Sequence, residues 1–133
     1  MLSMPQAFLL PMAAHVALAA LLYAALTVPR APKVWGIGRR ADGSNPFAAI
    51  EPRISANLSN QFEWPLFFHL ACLLQPVPST AAMVLAWTFI GGRLLHSVVQ
   101  IFTVNVRLRG LVFMLNFLAV LGLWGLLVAE AFG

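Results

Sequence analysis

The chain has 133 residues, of which 61% are hydrophobic and only 9% are charged. A water-soluble domain carries roughly 25% charged residues, so this composition excludes an ordinary soluble fold and predicts an integral membrane protein. The formal net charge is +4, but the basic residues lie between apolar runs, which is typical of membrane topology and argues against a nucleic-acid partner. The single cysteine, Cys72, excludes an intrachain disulfide and a cysteine-only metal cluster.

Four apolar segments follow one another along the chain, at residues 6–28, 54–74, 79–104 and 108–132. Each is long enough to cross the hydrocarbon core of a bilayer as a helix, which takes about 20 residues. Ser79 stands where a side-chain cap of the third helix is expected. We predict an all-α membrane protein in which residues 1–133 form one domain, a bundle of four transmembrane helices in contact with membrane lipids.

The three connections differ in length and in charge. Residues 29–53 form a long loop rich in proline, glycine and charge, whereas the second and third connections are short turns. Seven of the eight basic residues lie in or beside the first and third connections: Arg30, Lys33, Arg39, Arg40, Arg53, Arg107 and Arg109. The eighth, Arg93, lies inside the third segment. Because basic residues concentrate in cytoplasmic loops, we expect the 29–53 loop in the cytoplasm and both termini on the non-cytoplasmic side.

Two polar clusters interrupt the apolar segments. The first begins the second segment and comprises Arg53, Asn57, Asn60 and Glu63. The second lies in the third segment and comprises Arg93, His96 and Gln100. Neighbouring members of each cluster lie three or four residues apart, so each cluster falls near one helical face. At about 1.5 Å per residue, Glu63 and His96 both lie about 14 Å from the predicted cytoplasmic end, so we expect Glu63 to pair with His96 or with Arg93.

The two clusters admit two interpretations. A buried ion pair that fixes the helix register could be the whole explanation, because an unpaired charge inside a membrane costs about 2.5–3.5 kcal/mol or more. The clusters are, however, accompanied by further hydrogen-bonding side chains: Gln61, Asn105, Arg107 and Arg109. This capacity predicts a polar pocket, open to the cytoplasm, for an anionic and amide-rich ligand. We predict no metal site, and we expect His15 and His69 to be structural because they lack metal-ligand spacing.

Three sequence patterns together resemble the MAPEG family, the membrane-associated proteins of eicosanoid and glutathione metabolism. They are Asn60-Gln-Phe-Glu63-Trp-Pro65, Gly92-Arg93-Leu-Leu-His96-Ser97 and Asn105-Val-Arg107-Leu-Arg109. The resemblance implies a homotrimer of four-helix subunits, with a glutathione site between neighbouring subunits near the cytoplasmic side. It also implies a glutathione transferase or peroxidase that acts on a lipophilic small molecule. Because the small bacterial members are most similar, we expect a multi-pass protein of the bacterial inner membrane.

The resemblance also implies roles for individual residues. Asn60 and Glu63 would help to hold the glutathione peptide, and Arg93 would belong to the same site. Either Arg107 or Arg109 would stabilise the glutathione thiolate, because a nearby cation lowers the pKa of a thiol. The remaining residues that we predict to contact the ligand are Arg53, Asn57, His96, Gln100 and Asn105.

The chain departs from the family pattern at several tyrosines. Family enzymes often carry tyrosines in the third helix and after the Asn-x-x-Glu motif, whereas this chain has His96, Gln100 and Trp64 there. Its only tyrosine is Tyr23, in the first segment. The departures favour an alternative function, a non-catalytic four-helix scaffold or an accessory subunit of a membrane complex.

Overall fold

The protein is described here from a computed structural model, which covers residues 4–133, with side chains from residue 6 onward. All regular structure in that range is helical: α1 Met4–Ala7, α2 Leu9–Val34, α3 Glu51–Asn60, α4 Pro65–Leu74, α5 Thr80–Phe102 and α6 Val106–Phe132. α1 leads into α2 at Phe8, and α3 leads into α4. The chain therefore forms four helical rods, each made of one helix or of two consecutive helices: α1–α2, α3–α4, α5 and α6. The predicted all-α, four-helix membrane architecture is confirmed.

Three of the helices, α2, α5 and α6, are each long and apolar enough to cross a membrane. The outward faces of the bundle are apolar as well, with leucines such as Leu9, Leu21 and Leu118 more than half exposed. A surface of this kind suits contact with lipid tails rather than with water. The core between the helices contains tightly packed aromatic rings, of which Phe68 and Phe89 stack with their centroids 4.1 Å apart.

α2 continues six residues beyond the predicted end of the first segment, through Pro29 and Pro32 to Val34. The loop that follows satisfies carbonyl groups near the end of this helix. Asn45 donates to the carbonyl of Pro29 at 3.0 Å, and Arg39 donates to the carbonyl of Pro32 at 2.7 Å. Since the last four carbonyls of a helix have no partner within it, the bond from Arg39 to Pro32 stabilises this end of α2, and the bond from Asn45 ties the loop to it.

The loop between α2 and α3 is held by polar contacts of its own. Arg30 and Glu51 form an ion pair at 3.0 Å across the ends of the loop. At its tip, Asp42 accepts hydrogen bonds from the hydroxyl and the backbone N–H of Ser44, which lower the pKa of the Asp42 carboxyl. Gly43 completes this turn with φ +83°, a conformation that L side chains rarely adopt.

The second rod is broken where a single helix over residues 54–74 was expected. Pro65 begins α4 and has no N–H group to continue the ladder from α3. Between the two helices, Gln61 and Phe62 donate to carbonyls only three residues earlier, at 3.0 Å and 3.1 Å. These tighter turns change the direction in which side chains of residues 61–64 point relative to α3.

α5 and α6 form an antiparallel pair with close backbone approach. Ser79 caps α5 as predicted, accepting from the N–H of Ala82 at 3.1 Å. The closest approach occurs at Gly92, where an added Cβ would lie 2.6 Å from Oδ1 of Asn116. A hydrogen bond joins the start of α4 to α6, because the indole N–H of Trp64 donates to the carbonyl of Asn116 at 3.3 Å.

Candidate functional site

Gln61 is the centre of a buried polar network. Its Nε2 donates to the backbone carbonyl of Asn57 at 3.1 Å and to Oδ1 of Asn57 at 3.2 Å. Its Oε1 accepts from Nε of Arg93 at 3.2 Å and lies 2.9 Å from Nε2 of His15. Because Arg93 can only donate and the Asn57 carbonyl can only accept, the orientation of the Gln61 amide is fixed.

The network extends from Asn57 toward the end of the bundle that carries the α2–α3 loop, called here the loop end. Nδ2 of Asn57 donates to Oε1 of Gln100 at 2.9 Å, and Nδ2 of Asn60 donates to the same oxygen at 3.2 Å. Asn57 and Gln100 are buried, and Asn60 is half-buried. α3 and α5 therefore bring together these three predicted site residues.

In the other direction the network reaches two histidines. Nδ1 of His15, on α2, lies 2.9 Å from Nε2 of His69, on α4. His15 is buried and His69 is half-buried. Across residues 4–133 no group of three or more His, Cys, Asp and Glu side chains is placed to bind a metal ion. The two histidines thus form a hydrogen-bonded pair joined to Gln61.

Arg93 is buried without the acidic partner that we expected. Only 1% of this residue is exposed, and its one hydrogen bond among the described residues is the contact with Gln61. Glu63 is exposed, and within residues 4–133 it forms no ion pair with Arg93 or His96, although its charge acts on Arg93 electrostatically. The prediction of an ion pair within the subunit is wrong, because Glu63 lies in the break between α3 and α4, where helical spacing does not apply.

Three neighbouring side chains of α5 have buried polar atoms without a hydrogen-bond partner in the described chain. These atoms are Nη2 of Arg93, Nδ1 of His96 and Oγ of Ser97. The His96 ring meets Phe113 edge-on, with centroids 6.0 Å apart. An unpaired buried polar atom costs roughly 1–3 kcal/mol, so the interior beside this face of α5 is suited to a buried water or another small polar group.

A polar cavity of about 310 Å³ lies at the loop end of the bundle. Its lining comprises Pro52, Arg53, Ala56, Gln100, Thr103, Val104 and Arg109. Arg53 also donates to the carbonyl of Ile101 at 3.4 Å, which ties α3 to the end of α5. The cavity thus carries two guanidinium groups and opens onto Gln100, the last member of the buried network.

The structure separates the two arginines that we predicted to be catalytic. Arg109 lines the polar cavity and is half-buried, whereas Arg107 is exposed and is not part of the lining. Asn105, which we predicted to contact the ligand, caps α6 instead, with its Oδ1 accepting from the N–H of Leu108 at 3.0 Å. Residues two apart on a helix do not share a face, so only one of the two arginines faces the cavity.

A second, apolar cavity of about 440 Å³ lies between α2 and the α3–α4 rod. Its lining comprises His15, Val16, Ala19, Ala20, Tyr23, Gln61, Phe62, Leu66 and His69. Gln61 belongs to this cavity, and Gln100 belongs to the polar cavity. The hydrogen bonds from Gln61 through Asn57 to Gln100 therefore connect the two cavities through the interior of the bundle.

Comparison with protein families gives a match over nearly the whole chain. The MAPEG family matches residues 8–129. The chain belongs to the MAPEG family. No curated protein and no solved structure matches it significantly. MAPEG proteins are membrane proteins, and the family includes glutathione transferases. The matched residues include the lining of both cavities.

Sequence reasoning about this MAPEG chain missed His15 and His69 as members of the site. His15 lies six residues after Leu9, the start of α2, and His69 lies five residues before Leu74, the end of α4. At about 1.5 Å per residue, both are about 8–9 Å from the same end of the bundle. A depth comparison finds this pair only with the helix ends seen in the structure, because the predicted first segment begins at residue 6 rather than at Leu9.

Proposed function

We propose that this MAPEG protein binds glutathione in the polar cavity and acts as a glutathione transferase or peroxidase on lipophilic electrophiles. The observation that carries the proposal is the pairing of Arg53 and Arg109 in one cavity that opens onto Gln100. Glutathione has carboxylates, which guanidinium groups bind well, and peptide groups, which suit carboxamides. The cavity therefore complements the charge and the amide content of this ligand.

Arg109 is the residue that we assign to the thiol of glutathione. A cation beside a thiol favours the thiolate, which is the nucleophilic form. The thiolate would form the new bond to carbon while the leaving group departs with its electron pair. Arg53 would bind a carboxylate. Gln100 would bind the peptide, and Asn57 and Asn60 would position Gln100 through their hydrogen bonds to it.

The remaining polar residues suit an assembly of several subunits. Glu63 is exposed, so its carboxylate is free to meet the ammonium group of glutathione or a neighbouring subunit. We therefore include in the proposal a homotrimer with the site between subunits.

The proposal also includes an orientation in the bacterial inner membrane. The loop end holds seven of the eight basic residues, so the α2–α3 loop would face the cytoplasm and both termini would lie outside. In a Cys72→Ala background, an Ala41→Cys variant should react with a membrane-impermeant maleimide only after the inner face is made accessible. Labelling of intact cells at this position would contradict the orientation.

Glutathione-dependent turnover by the purified protein tests the proposed chemistry. With an aryl chloride or an alkyl hydroperoxide as the second substrate, Arg109→Ala should lower kcat/KM by at least roughly 100-fold, since one charge-stabilising donor contributes about that much. Arg107→Ala is the matched control and should stay within about three-fold of the unsubstituted protein, because Arg107 lies outside the cavity lining. Equal losses in the two variants would contradict the assignment.

A non-catalytic scaffold is the second candidate. It is favoured by Tyr23, the only tyrosine, which lies in the apolar cavity rather than beside the arginines. This alternative predicts that Glu63→Gln weakens assembly, while Arg107→Ala and Arg109→Ala leave every measured property unchanged. Loss of a measured activity in Arg109→Ala without loss of assembly would exclude it.

A further inference from the structure

The apolar cavity between α2 and the α3–α4 rod has the size and shape of a small-molecule site. Its volume of about 440 Å³ falls within the roughly 300–1,000 Å³ of such sites. Val16, Phe62 and Leu66 are each more than half exposed, whereas His15 and Gln61 are buried. The cavity is therefore apolar at its mouth and polar at its base, as a site for one amphipathic molecule would be.

The direction of the hydrogen bonds at the base follows from Gln61. Because its Oε1 can only accept, Nε2 of His15 must carry the hydrogen that joins them. In the neutral tautomer, Nδ1 of His15 is then an acceptor, so Nε2 of His69 donates to it. The neutral His69 ring consequently carries its lone pair on Nδ1, and this atom has no hydrogen-bond partner in the chain from residue 6 onward.

The aromatic side chains of the cavity add a second preference. Tyr23 and Phe62 meet edge-on with centroids 6.2 Å apart, and both line the cavity. Aromatic rings pack favourably against other rings in such edge-on and offset arrangements. A ligand with its own ring would therefore be favoured over one with only an alkyl chain.

We propose that the apolar cavity binds a lipophilic phenol or quinol, whose hydroxyl group donates to Nδ1 of His69 and whose alkyl chain extends past Val16 and Leu66. The acceptor on His69 selects a ligand that donates, which favours a hydroxyl over an ether or a ketone. This site does not include Arg53 or Arg109, so it stands independently of glutathione binding in the polar cavity.

Equilibrium binding of 3-pentadecylphenol and its methyl ether to the protein in lipid nanodiscs tests the proposal. The phenol should bind roughly three- to ten-fold more tightly than the ether, as expected for one net hydrogen bond. His69→Phe keeps a ring at this position but lacks the acceptor, so it should lower the phenol affinity to that of the ether. Val16→Trp should block both ligands, because it fills the cavity, while Val98→Trp, on an exposed face of α5, should change neither affinity.

Four results would overturn the proposal. Equal binding of the phenol and the ether to the unsubstituted protein would exclude a donated hydroxyl, and so would a preference that survives His69→Phe. Binding of both ligands that is unchanged in Val16→Trp would place them elsewhere. Absence of binding to the unsubstituted protein, with a change of oligomeric state in Val16→Trp, would assign the cavity to a second copy of the chain. If His69→Phe does not fold, Leu66→Trp provides a second way to block the cavity.

Discussion

Gln61, rather than an acidic residue, holds the guanidinium group of Arg93 inside the bundle. One amide oxygen accepts from Arg93 at 3.2 Å and lies 2.9 Å from the His15 ring, while the amide nitrogen donates to Asn57. A carboxamide can serve donors and acceptors at the same time, which a carboxylate cannot. This property makes Gln61 the residue on which three helical segments converge.

Replacing Gln61 is therefore expected to destabilise the protein strongly. Gln61→Leu leaves Arg93 without a hydrogen-bond partner among the described residues and should lower the free energy of unfolding by roughly 2–4 kcal/mol. Ser59→Ala is a suitable control, since Ser59 is exposed on α3 and uses no side-chain bond in this network. Thermal unfolding in detergent micelles measures both. Similar midpoints for Gln61→Leu and the unsubstituted protein would show that the network contributes little.

Spacing in the sequence predicted which polar residues meet only where those residues lie on regular helices. Asn57 and Gln100 were found from spacing because α3 and α5 keep their period through them. Glu63 was misplaced because Pro65 forces a break whose geometry spacing does not encode. Arg107 and Arg109 lie two residues apart on α6 and point to different sides, but spacing does not tell which side of α6 faces the cavity.

At the scale of helices, hydropathy predicted the number of rods and placed most of their ends within a few residues. It failed at the end of α2, which continues through two prolines because Asn45 and Arg39 satisfy carbonyl groups of the helix. It also failed in the second rod, where it could not distinguish one helix of residues 54–74 from two ten-residue helices. Both differences come from individual residues that change backbone hydrogen bonding, which a hydropathy pattern does not detect.

The contact between α5 and α6 depends on a missing side chain at Gly92. A methyl group there would lie 2.6 Å from Oδ1 of Asn116 and 3.4 Å from Cβ of Leu115, so Gly92→Ala should cost about 1–3 kcal/mol of stability. Gly91→Ala is the matched control, because nothing lies within 4 Å of its added Cβ. Thermal unfolding of both variants checks this, and equal midpoints would contradict it. Adding Asn116→Ala to Gly92→Ala should recover part of the loss.

At the scale of the whole molecule, one buried network joins two cavities of different character. The apolar cavity lies along α2 and the α3–α4 rod, and the polar cavity lies at the loop end. The network between them runs from His69 through His15, Gln61 and Asn57 to Gln100. A lipophilic molecule and an anionic one could therefore occupy the same subunit from different sides.

The most direct test of the account is whether glutathione binds at the polar cavity as a thiolate. Titration of the purified protein with glutathione, followed by ultraviolet thiolate absorbance, should give a saturable signal at neutral pH. The signal should be lost in Arg109→Ala and retained in Arg107→Ala, because Arg109 lines the cavity and Arg107 does not. The account would be contradicted by a titration in which the unsubstituted protein gives no saturable thiolate signal, or in which Arg109→Ala gives the full one.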